Sequence, residues 1–383
     1  MDLSSWREKM SFRSGTSGEV GSGRVPPLFC SIVPPHILVA IAEHGTSAQR
    51  ESAWRTITMT EQLRGQRLGM TGSKTMALQG MLFAGPKPAQ QKTRLIYTAD
   101  NSVALPGRDV RSEGAPPSGD QTVNEAYDGS GATYDFYQKG YGRNSVDGKG
   151  MRLDSTVHYE RGYDNAFWNG RQMVYGDGDE DLPPGERVFN RFTVALDVIG
   201  HELTHGVTQF EASLVYWDQP GALNESLSDV FGSLVKQMSL NQTASQADWI
   251  IGKGLFTARV NAKGIRSMKD PGTAYDDPLL NGKDPQPAHM RDYVNTSEDN
   301  GGVHLNSGIP NRAFYLTAAE IGGHAWERAG HIWYVALCDK LGSRSDFRHA
   351  ARMTKQVAAK LYGPGSAEAK AVRKAWTKVG IKI

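Results

Sequence analysis

The sequence predicts an α+β fold of two lobes, the first rich in β-strands and the second helical, preceded by a small segment of different composition. Two observations support this prediction. The 43 glycines concentrate in the first half of the chain, and there residues 91–190 have short Tyr-, Val- and Thr-bearing stretches typical of strands. From about residue 190 onward, apolar residues recur at the three- and four-residue spacing of helices. At 383 residues the chain can bury two cores.

The N-terminal segment is expected to begin without regular structure. Residues 1–25 are polar and rich in Gly and Ser, so we expect them to be disordered. They lack the charged start and apolar stretch of a conventional signal peptide, and no run in the chain approaches membrane-spanning length. An apolar stretch at 30–38 leads into a helical pattern that includes Trp54, and residues 69–94 hold the Gly, Pro, Lys and Gln of a linker.

The segment around residue 200 predicts an amphipathic helix, because apolar residues recur every fourth position from 195 to 207. His201 and His205 are also four apart, so they share one face of this helix, away from the apolar stripe. Two imidazoles at that spacing can bind one zinc ion, while Glu202 remains available to take a proton from a metal-bound water. Two ordinary polar histidines on a helix are the alternative.

A second helical pattern follows shortly after the first and carries Glu225 and Asp229, four residues apart on its polar side. A catalytic zinc takes three protein ligands and leaves one position for water, and His201, His205 and Glu225 supply that set. Asp229 would hydrogen-bond the second nitrogen of His201, and Asn224 that of His205, which would fix both rings. A solvated acidic helix face is the alternative.

Further motifs accompany these two helical patterns in order along the chain. They are NAFWNG at 165–170, MVYGDGD at 173–179, RSM at 266–268 and DNGGVHLNSG at 299–308. With these motifs, the chain from about Leu95 to its C-terminus resembles the thermolysin family of zinc endopeptidases. The resemblance implies a thermolysin-like α+β fold, with a β-rich lobe at 89–205 that ends in the zinc helix and a helical lobe at 206–383. It also implies one zinc ion per chain and hydrolysis of internal bonds in peptide and protein substrates.

The same resemblance assigns the remaining catalytic roles. His304 and Tyr216 would donate hydrogen bonds to the oxyanion that forms at the attacked carbonyl, and Asp299 would fix the ring of His304. Glu202 would act as the general base and later protonate the leaving amine.

Substrate-binding residues also follow from the resemblance. Asn165 and Ala166 match edge-strand positions that hydrogen-bond an extended peptide, and Arg266 matches the residue that binds a substrate carbonyl. The residue after the cleaved bond would enter an apolar pocket, lined by Phe189, Val198, Ile251, Leu255 and Ile265. We therefore expect cleavage before bulky hydrophobic residues such as Leu, Phe or Ile.

The chain departs from the family in a carboxylate cluster that often binds calcium. Calcium needs six to eight oxygen ligands, but Lys236, Lys253 and Ile250 stand at three of the ligand positions, and only Asp197 and Asp248 remain. A bound calcium ion is therefore doubtful here. We expect the lysines to form ion pairs with the two aspartates instead.

The segment before the catalytic lobe resembles the short propeptide of protealysin-like precursors, whose mark is a Pro-Pro pair such as that at 34–35. The resemblance implies that residues 1–88 are a propeptide that blocks the cleft as an intramolecular inhibitor and that the mature chain starts at about residues 80–90. A small module that stays attached is the alternative. Cys30 is interpreted as a small buried hydrophobe in preference to a zinc ligand of the latent form.

Composition excludes several classes of function. Lys and Arg (43) nearly balance Asp and Glu (41), for a formal net charge of +2, so nothing indicates nucleic-acid or membrane binding. Two cysteines give no disulfide framework. We expect a monomer that is secreted by a non-classical route or stays in the cytoplasm. The alternatives to an endopeptidase are a catalytically silent or permanently latent peptidase-fold binding protein, a zinc aminopeptidase and a structural zinc protein.

Overall fold

The computed structural model of the chain describes residues 30–70 and 91–383, with the backbone alone for residues 65–70. The predicted disorder at residues 1–25 and the predicted processing site at 80–90 lie outside the described residues. Along the described residues, the α-helices in chain order are α1 (Pro35–His44), α2 (Ser47–Met70), α3 (Gln121–Tyr141), α4 (Leu196–Phe210), α5 (Asp218–Ser239), α6 (Asp299–Asn306), α7 (Gly308–Ile321), α8 (Ala329–Asp339), α9 (Phe347–Tyr362) and α10 (Ala367–Lys378).

The strands occur mainly in the first lobe. Six of them form one sheet: β1 (Cys30–Ser31), β2 (Arg94–Thr98), β3 (Arg108–Ser112), β4 (Leu153–Val157), β5 (Ala166–Trp168) and β6 (Met173–Tyr175). Two short ribbons belong to the second lobe, and they pair β7 (Ile250–Ile251) with β8 (Arg266–Ser267) and β9 (Asp276–Asp277) with β10 (Gly282–Lys283).

The order of the six-stranded sheet is β1-β5-β6-β4-β2-β3. β4 pairs in parallel with both β2 and β6, whereas the edge strand β1 pairs antiparallel with β5, so that Cys30 lies opposite Trp168 and Ser31 opposite Phe167. β1 comes from the N-terminal segment. That segment therefore completes the sheet at the edge nearest α4.

The first lobe, predicted to be β-rich over residues 91–190, also contains the helix α3. Asp120 caps this helix by accepting hydrogen bonds from the backbone N–H groups of Thr122 and Val123. A Cβ atom at Gly129 would lie 2.3 Å from Cδ1 of Ile199. The glycine content of α3 thus serves close helix packing against α4, which composition alone cannot distinguish from a strand turn.

The helices α4 and α5 carry the predicted metal ligands and pack closely together. A Cβ at Gly232 of α5 would lie 2.4 Å from the backbone oxygen of Asp197, and one at Gly200 of α4 would lie 3.1 Å from Cα of Gly232. The apolar stripe of α4, represented by Ile199 and Leu203, is fully buried. This packing offsets the cost of about 1 kcal/mol that a glycine brings to a helix interior.

One apolar core extends through both lobes and takes in the N-terminal segment, including Ile32 and Ile37. Within the described ranges, no helix is both long enough and apolar enough to cross a membrane. The cleft between the lobes lies above α4 and is occupied by residues 30–33.

Candidate metal centre and active site

The two histidines of α4 converge on one point. Nε2 of His201 and Nε2 of His205 are 2.9 Å apart, because residues four apart lie one above the other on a helix. From α5, Glu225 places its carboxylate oxygens 3.5 Å from Nε2 of His201 and 3.4 Å from Nε2 of His205. All three side chains are fully buried.

This donor set fits a zinc ion. Two imidazole nitrogens and one carboxylate oxygen are ligands that zinc prefers in catalytic sites. Oε2 of Glu225 is buried and has no hydrogen-bond partner among the described residues, although an orphaned carboxylate oxygen is costly. A cation held by His201, His205 and Glu225 would remove that cost.

The other ring nitrogens are held by residues of α5, as predicted. Nδ1 of His201 lies 2.8 Å from Oδ1 of Asp229, and Nδ1 of His205 lies 2.9 Å from Oδ1 of Asn224. When these oxygens accept the Nδ1 protons, each Nε2 lone pair faces the metal position. Ser228 adds a contact of 3.0 Å between its Oγ and Nδ1 of His205, which sequence reasoning missed.

Glu202 lies beside the two histidines: one ligand atom each of His201, Glu202 and His205 lies within 4.8 Å of the others. Its Oε2 accepts a hydrogen bond of 2.9 Å from the backbone N–H of Trp168, and its Oε1 is buried without a hydrogen-bond partner among the described residues. Burial raises the pKa of Glu202 well above its usual value. A carboxylate with a raised pKa can take a proton from water and return it to a leaving amine.

His304 and Tyr216 meet on the opposite side of the metal position. The phenol oxygen of Tyr216 lies 3.3 Å from Nε2 of His304 and also contacts Glu225. Asp299 holds His304 twice, through Nδ1 at 2.6 Å and through the backbone N–H at 2.8 Å. The backbone makes this possible with a left-handed turn at 299–302, where the φ angles are positive throughout.

The groups predicted to bind the substrate backbone line the same cleft and are occupied by the N-terminal segment. Ala166 accepts a hydrogen bond of 3.1 Å from the N–H of Ile32, and Oδ1 of Asn165 accepts one of 3.0 Å from the N–H of Val33. Arg266 donates from Nη1 to the carbonyl of Ile32 at 3.1 Å.

The predicted pocket residues belong to the large apolar core that also contains Ile32. β7 and β8 bring Ile251 opposite Arg266, and the backbone N–H of Ile265 bonds the carbonyl of Ile251 at 2.9 Å. Side-chain atoms of Leu255 and Ile265 both approach Gly252 closely. Val198 is buried on α4, and Phe189 is buried in the strand-like bridge to Phe256.

Family models for the thermolysin metallopeptidases match nearly all of the described chain. The catalytic-domain model matches residues 58–209, and the alpha-helical-domain model matches residues 212–381. The chain belongs to the thermolysin family of metallopeptidases.

Individual relatives agree with this assignment. The chain is 51% identical over 362 residues to an extracellular metalloprotease of Pectobacterium carotovorum subsp. carotovorum, covering 92% of this chain and 97% of the relative. It is 45% identical over 355 residues to the protease PrtS of Photorhabdus sp. (strain Az29), covering 92% of each. The solved precursor of protealysin, a metalloproteinase from Serratia proteamaculans, superposes with a TM-score of 0.81 at 52% identity and covers 92% of this chain and 99% of that chain.

These similarities confirm the thermolysin-like α+β fold and a neutral zinc metalloendopeptidase that is made as a precursor with an N-terminal propeptide. They do not favour a catalytically silent binding protein. The thermolysin-family site contains one feature beyond the predicted ligands: Cys30, His205 and Glu225 place one ligand atom each within 4.8 Å of one another. Cys30 is buried, as interpreted, but it also lies within reach of the metal position.

Lys236 and Lys253 form the ion pairs that the sequence predicts with Asp197 and Asp248. Nζ of Lys236 lies 2.6 Å from Asp197 and 3.2 Å from Asp248, and Nζ of Lys253 lies 3.3 Å from Asp248. Lys236 also donates to the carbonyl of Ile250 at 2.7 Å. An ammonium group thus lies between the two aspartates.

Two further residues support the site and were not found in the sequence. Asn311 donates from Nδ2 to Oδ2 of Asp229 at 2.8 Å, and Gln286 donates from Nε2 to the carbonyl of His304 at 2.6 Å. Asn311 follows His304 by seven residues, or about two helical turns, which is a weak signal because α6 and α7 are separate helices. Gln286 lies in a loop and has no spacing signal.

Proposed function

We propose that the chain hydrolyses internal peptide bonds on the amino side of bulky hydrophobic residues, with one zinc ion held by His201, His205 and Glu225 and with Glu202 as general base. A zinc ion in that position would polarise the scissile carbonyl and make a bound water more acidic. Glu202 would take the proton of that water and deliver it to the leaving nitrogen. One observation supports this proposal best. The three buried ligand side chains converge beside the buried carboxylate of Glu202, whose Oε1 has no hydrogen-bond partner among the described residues.

The chain's own donors would stabilise the charge that develops on the attacked carbonyl. Nε2 of His304 and the hydroxyl of Tyr216 lie 3.3 Å apart, so both can donate to one oxygen placed between them and the metal position. Asp299 keeps Nδ1 of His304 engaged and so directs Nε2 into the cleft. Glu225 competes for the Tyr216 hydroxyl in the precursor, and this contact would have to yield to the substrate oxygen.

The proposed preference for bulky hydrophobic residues after the cleaved bond depends on the pocket. Its five lining side chains are apolar and buried, so a charged group would lose its hydration there without a partner. Arg266 would not pair with a charged substrate side chain, because its Nε and Nη2 already donate to Asp229 and its Nη1 donates to a backbone carbonyl.

The N-terminal segment would keep the enzyme latent. Residues 30–33 use the hydrogen-bonding groups of the cleft that a substrate needs, and Cys30 lies within 4.8 Å of ligand atoms of His205 and Glu225. Its sulfur can therefore take the metal position that water requires. The extracellular naming of the Pectobacterium relative supports action outside the cell.

An internally quenched peptide with blocked ends and a central Gly-Leu bond tests the proposed function. The processed enzyme should cleave this bond, and blocked ends exclude an aminopeptidase. The Glu202→Gln variant should lose at least about 10³-fold in kcat, as a missing proton-transfer group predicts, while metal analysis shows zinc retained. Undiminished cleavage by this variant, or a preference for acidic residues after the cut bond, would contradict the proposal.

A further inference from the structure

The N-terminal segment crosses the cleft as a strand whose hydrogen bonds define its register. The N–H of Ile32 bonds the carbonyl of Ala166, the N–H of Val33 bonds Oδ1 of Asn165, and the carbonyl of Ile32 accepts from Arg266. These are the groups predicted above to bind the backbone of a substrate, so Ile32 and Val33 lie where a substrate strand would lie.

The carbonyl of Ser31 completes the register. It lies 3.1 Å from Nε2 of His304, the group assigned above to the oxyanion. The peptide bond between Ser31 and Ile32 thus has its oxygen at the oxyanion donor and its nitrogen on the edge strand. The next peptide bond, between Ile32 and Val33, does not have this combination, because its carbonyl accepts from Arg266 and its N–H bonds Oδ1 of Asn165.

The side chains are consistent with this register. Residues two apart face the same side of a strand, so Cys30 and Ile32 point to the same side. Cys30 lies near ligand atoms of His205 and Glu225, and Ile32 is fully buried in the core that contains the pocket residues. A bulky hydrophobic side chain thus follows the Ser31–Ile32 bond, as the proposed specificity requires.

We propose that the Ser31–Ile32 bond is a self-cleavage site, which the enzyme hydrolyses once the sulfur of Cys30 leaves the metal position. The inference rests on the proposed function. The oxygen of water bonds to the carbonyl carbon of Ser31, the C–N bond breaks, and the proton taken by Glu202 passes to the nitrogen of Ile32. The products are a carboxylate at Ser31 and an amine at Ile32. Cys30 is the residue that makes this segment an inhibitor instead of an ordinary substrate.

Mass spectrometry of the full zinc-loaded chain over time tests the site. In the Cys30→Ser variant, the product that starts at Ile32 should form faster than in the wild-type chain by about tenfold, which corresponds to ~1.4 kcal/mol. The matched control is Cys338→Ser, which changes the cysteine on α8 and should leave the rate as in the wild-type chain. Adding Ile32→Asp to Cys30→Ser should suppress the cut at this bond.

The register also separates this inference from simple sequence preference. Leu28, Phe29, Ile32 and Val33 are all bulky and hydrophobic, so preference alone allows four cuts in this stretch, whereas the register selects Ser31–Ile32 first. An initial cut at another of these bonds would overturn the inference. So would a Cys30→Ser chain that cleaves the quenched peptide but keeps Ser31–Ile32 intact. Absence of all peptidase activity would instead refute the proposed function, and this inference with it.

A measurement without turnover checks the position of the sulfur. The Glu202→Gln precursor loaded with Co²⁺ should show the near-ultraviolet absorption of a thiolate bound to the metal, and the band should disappear when Cys30→Ser is added. The same band in both chains, or in neither, would contradict the role given to Cys30.

Discussion

Among single residues, Asp229 joins a predicted metal ligand, His201, to a predicted substrate-binding residue, Arg266. Its Oδ1 accepts from His201 and Arg266, and its Oδ2 accepts from Arg266 and Asn311, with all four contacts at 2.8 Å. Burial opposes the charged form, but Arg266 and His201 lower the pKa of Asp229 to about 2. The carboxylate therefore stays charged at any pH near neutrality and holds together His201, a predicted zinc ligand, and Arg266, which is predicted to bind the substrate.

Replacement of Asn311 tests whether Asp229 needs the hydrogen bond that Asn311 donates to its Oδ2. Oδ1 of Asn311 is buried without a partner among the described residues, so Asn311→Leu removes an orphaned oxygen along with the donor to Asp229. A hydrogen bond to a charged group contributes ~1.5–3 kcal/mol, and we expect kcat/KM of the processed enzyme to fall by about tenfold as Asp229 becomes less ordered.

The comparison is Thr317→Val on the same helix, since the Thr317 hydroxyl bonds only the local carbonyl of Ala313. This variant should keep its kcat/KM. Equal kinetics for the two variants would show that Asn311 serves packing alone.

Among the secondary-structure elements, Lys236 joins α5 to the start of α4 and to the β7 region. From α5 it contacts Asp197 at the start of α4, the carbonyl of Ile250 in β7, and Asp248 just before β7. Burial works against its charge, but Asp197 and Asp248 raise the pKa of Lys236. The side chain thus connects α4 to the ribbon that carries Arg266 on its other strand.

Lys236→Ala should destabilise the fold by about 3 kcal/mol, because Asp197 would remain as an unpaired buried charge. Lys253→Ala is the matched control: its side chain is 66% exposed, and an exposed pair contributes at most about 1 kcal/mol. Denaturant unfolding of the Glu202→Gln chain measures both.

The same ion pairs predict that calcium does not stabilise this enzyme. The melting temperature of the Glu202→Gln chain should be unchanged when calcium is added or removed with a calcium-specific chelator, because a ligand that does not bind the native state cannot shift its stability. A rise of several degrees with calcium would show that carboxylates outside this cluster bind the ion.

In the whole molecule, the N-terminal segment shares a β-sheet and an apolar core with the catalytic lobes. α2 docks through polar contacts, in which Oγ of Ser52 donates to Oδ2 of Asp164 at 2.8 Å and Nε2 of Gln49 donates to the carbonyl of Glu186 at 2.8 Å. Burial and the neighbouring carboxylate of Asp179 raise the pKa of Asp164 well above its usual value. Asp181 acts in the same direction, whereas Ser52 and Arg55 oppose the shift.

The raised pKa of Asp164 makes the docking of α2 onto the catalytic lobe depend on pH. A group with a raised pKa in the docked state binds its proton more tightly there, so its contribution is complete at low pH, where both states are protonated. The contribution is lost as the pH rises from the usual Asp value of about 4 towards the raised pKa. We therefore expect the propeptide to dissociate more readily at neutral and alkaline pH than at pH 4–5.

Asp164→Asn should remove much of this pH dependence, because the amide can still accept from Ser52 but cannot ionise. Hydrogen exchange of residues 47–64 in the Glu202→Gln precursor, measured at pH 5 and pH 8, follows docking directly. Asp135→Asn on the exposed face of α3 is the control and should keep the wild-type dependence. An unchanged slope in Asp164→Asn would assign the pH response to groups other than Asp164. His36 is not one of them, because burial lowers its pKa to about 4 and so weakens docking at low pH, which is the opposite direction.

Local spacing was sufficient to predict the two site helices. The four-residue spacing placed His201 with His205, and Glu225 with Asp229, on shared faces away from the apolar stripes, because a helix repeats every 3.6 residues and its faces can be read along the chain. The motif at 299–308 likewise predicted the pairing of His304 with Asp299 through the family resemblance. The structure brings all of these residues to one point, and their catalytic roles remain proposals.

The other features of the site depend on tertiary contacts. Contacts between segments that are distant in the chain produce no periodic pattern in the sequence. Gly129 of α3 leaves room for Ile199 of α4, and this contact has no signal in the linear sequence. Asn311 and Gln286 reach the site from segments with no pattern of their own. Cys30 looked like an ordinary small hydrophobe, and only the antiparallel pairing of β1 with β5 carries its sulfur to the metal position, more than 170 residues away in the chain from His205.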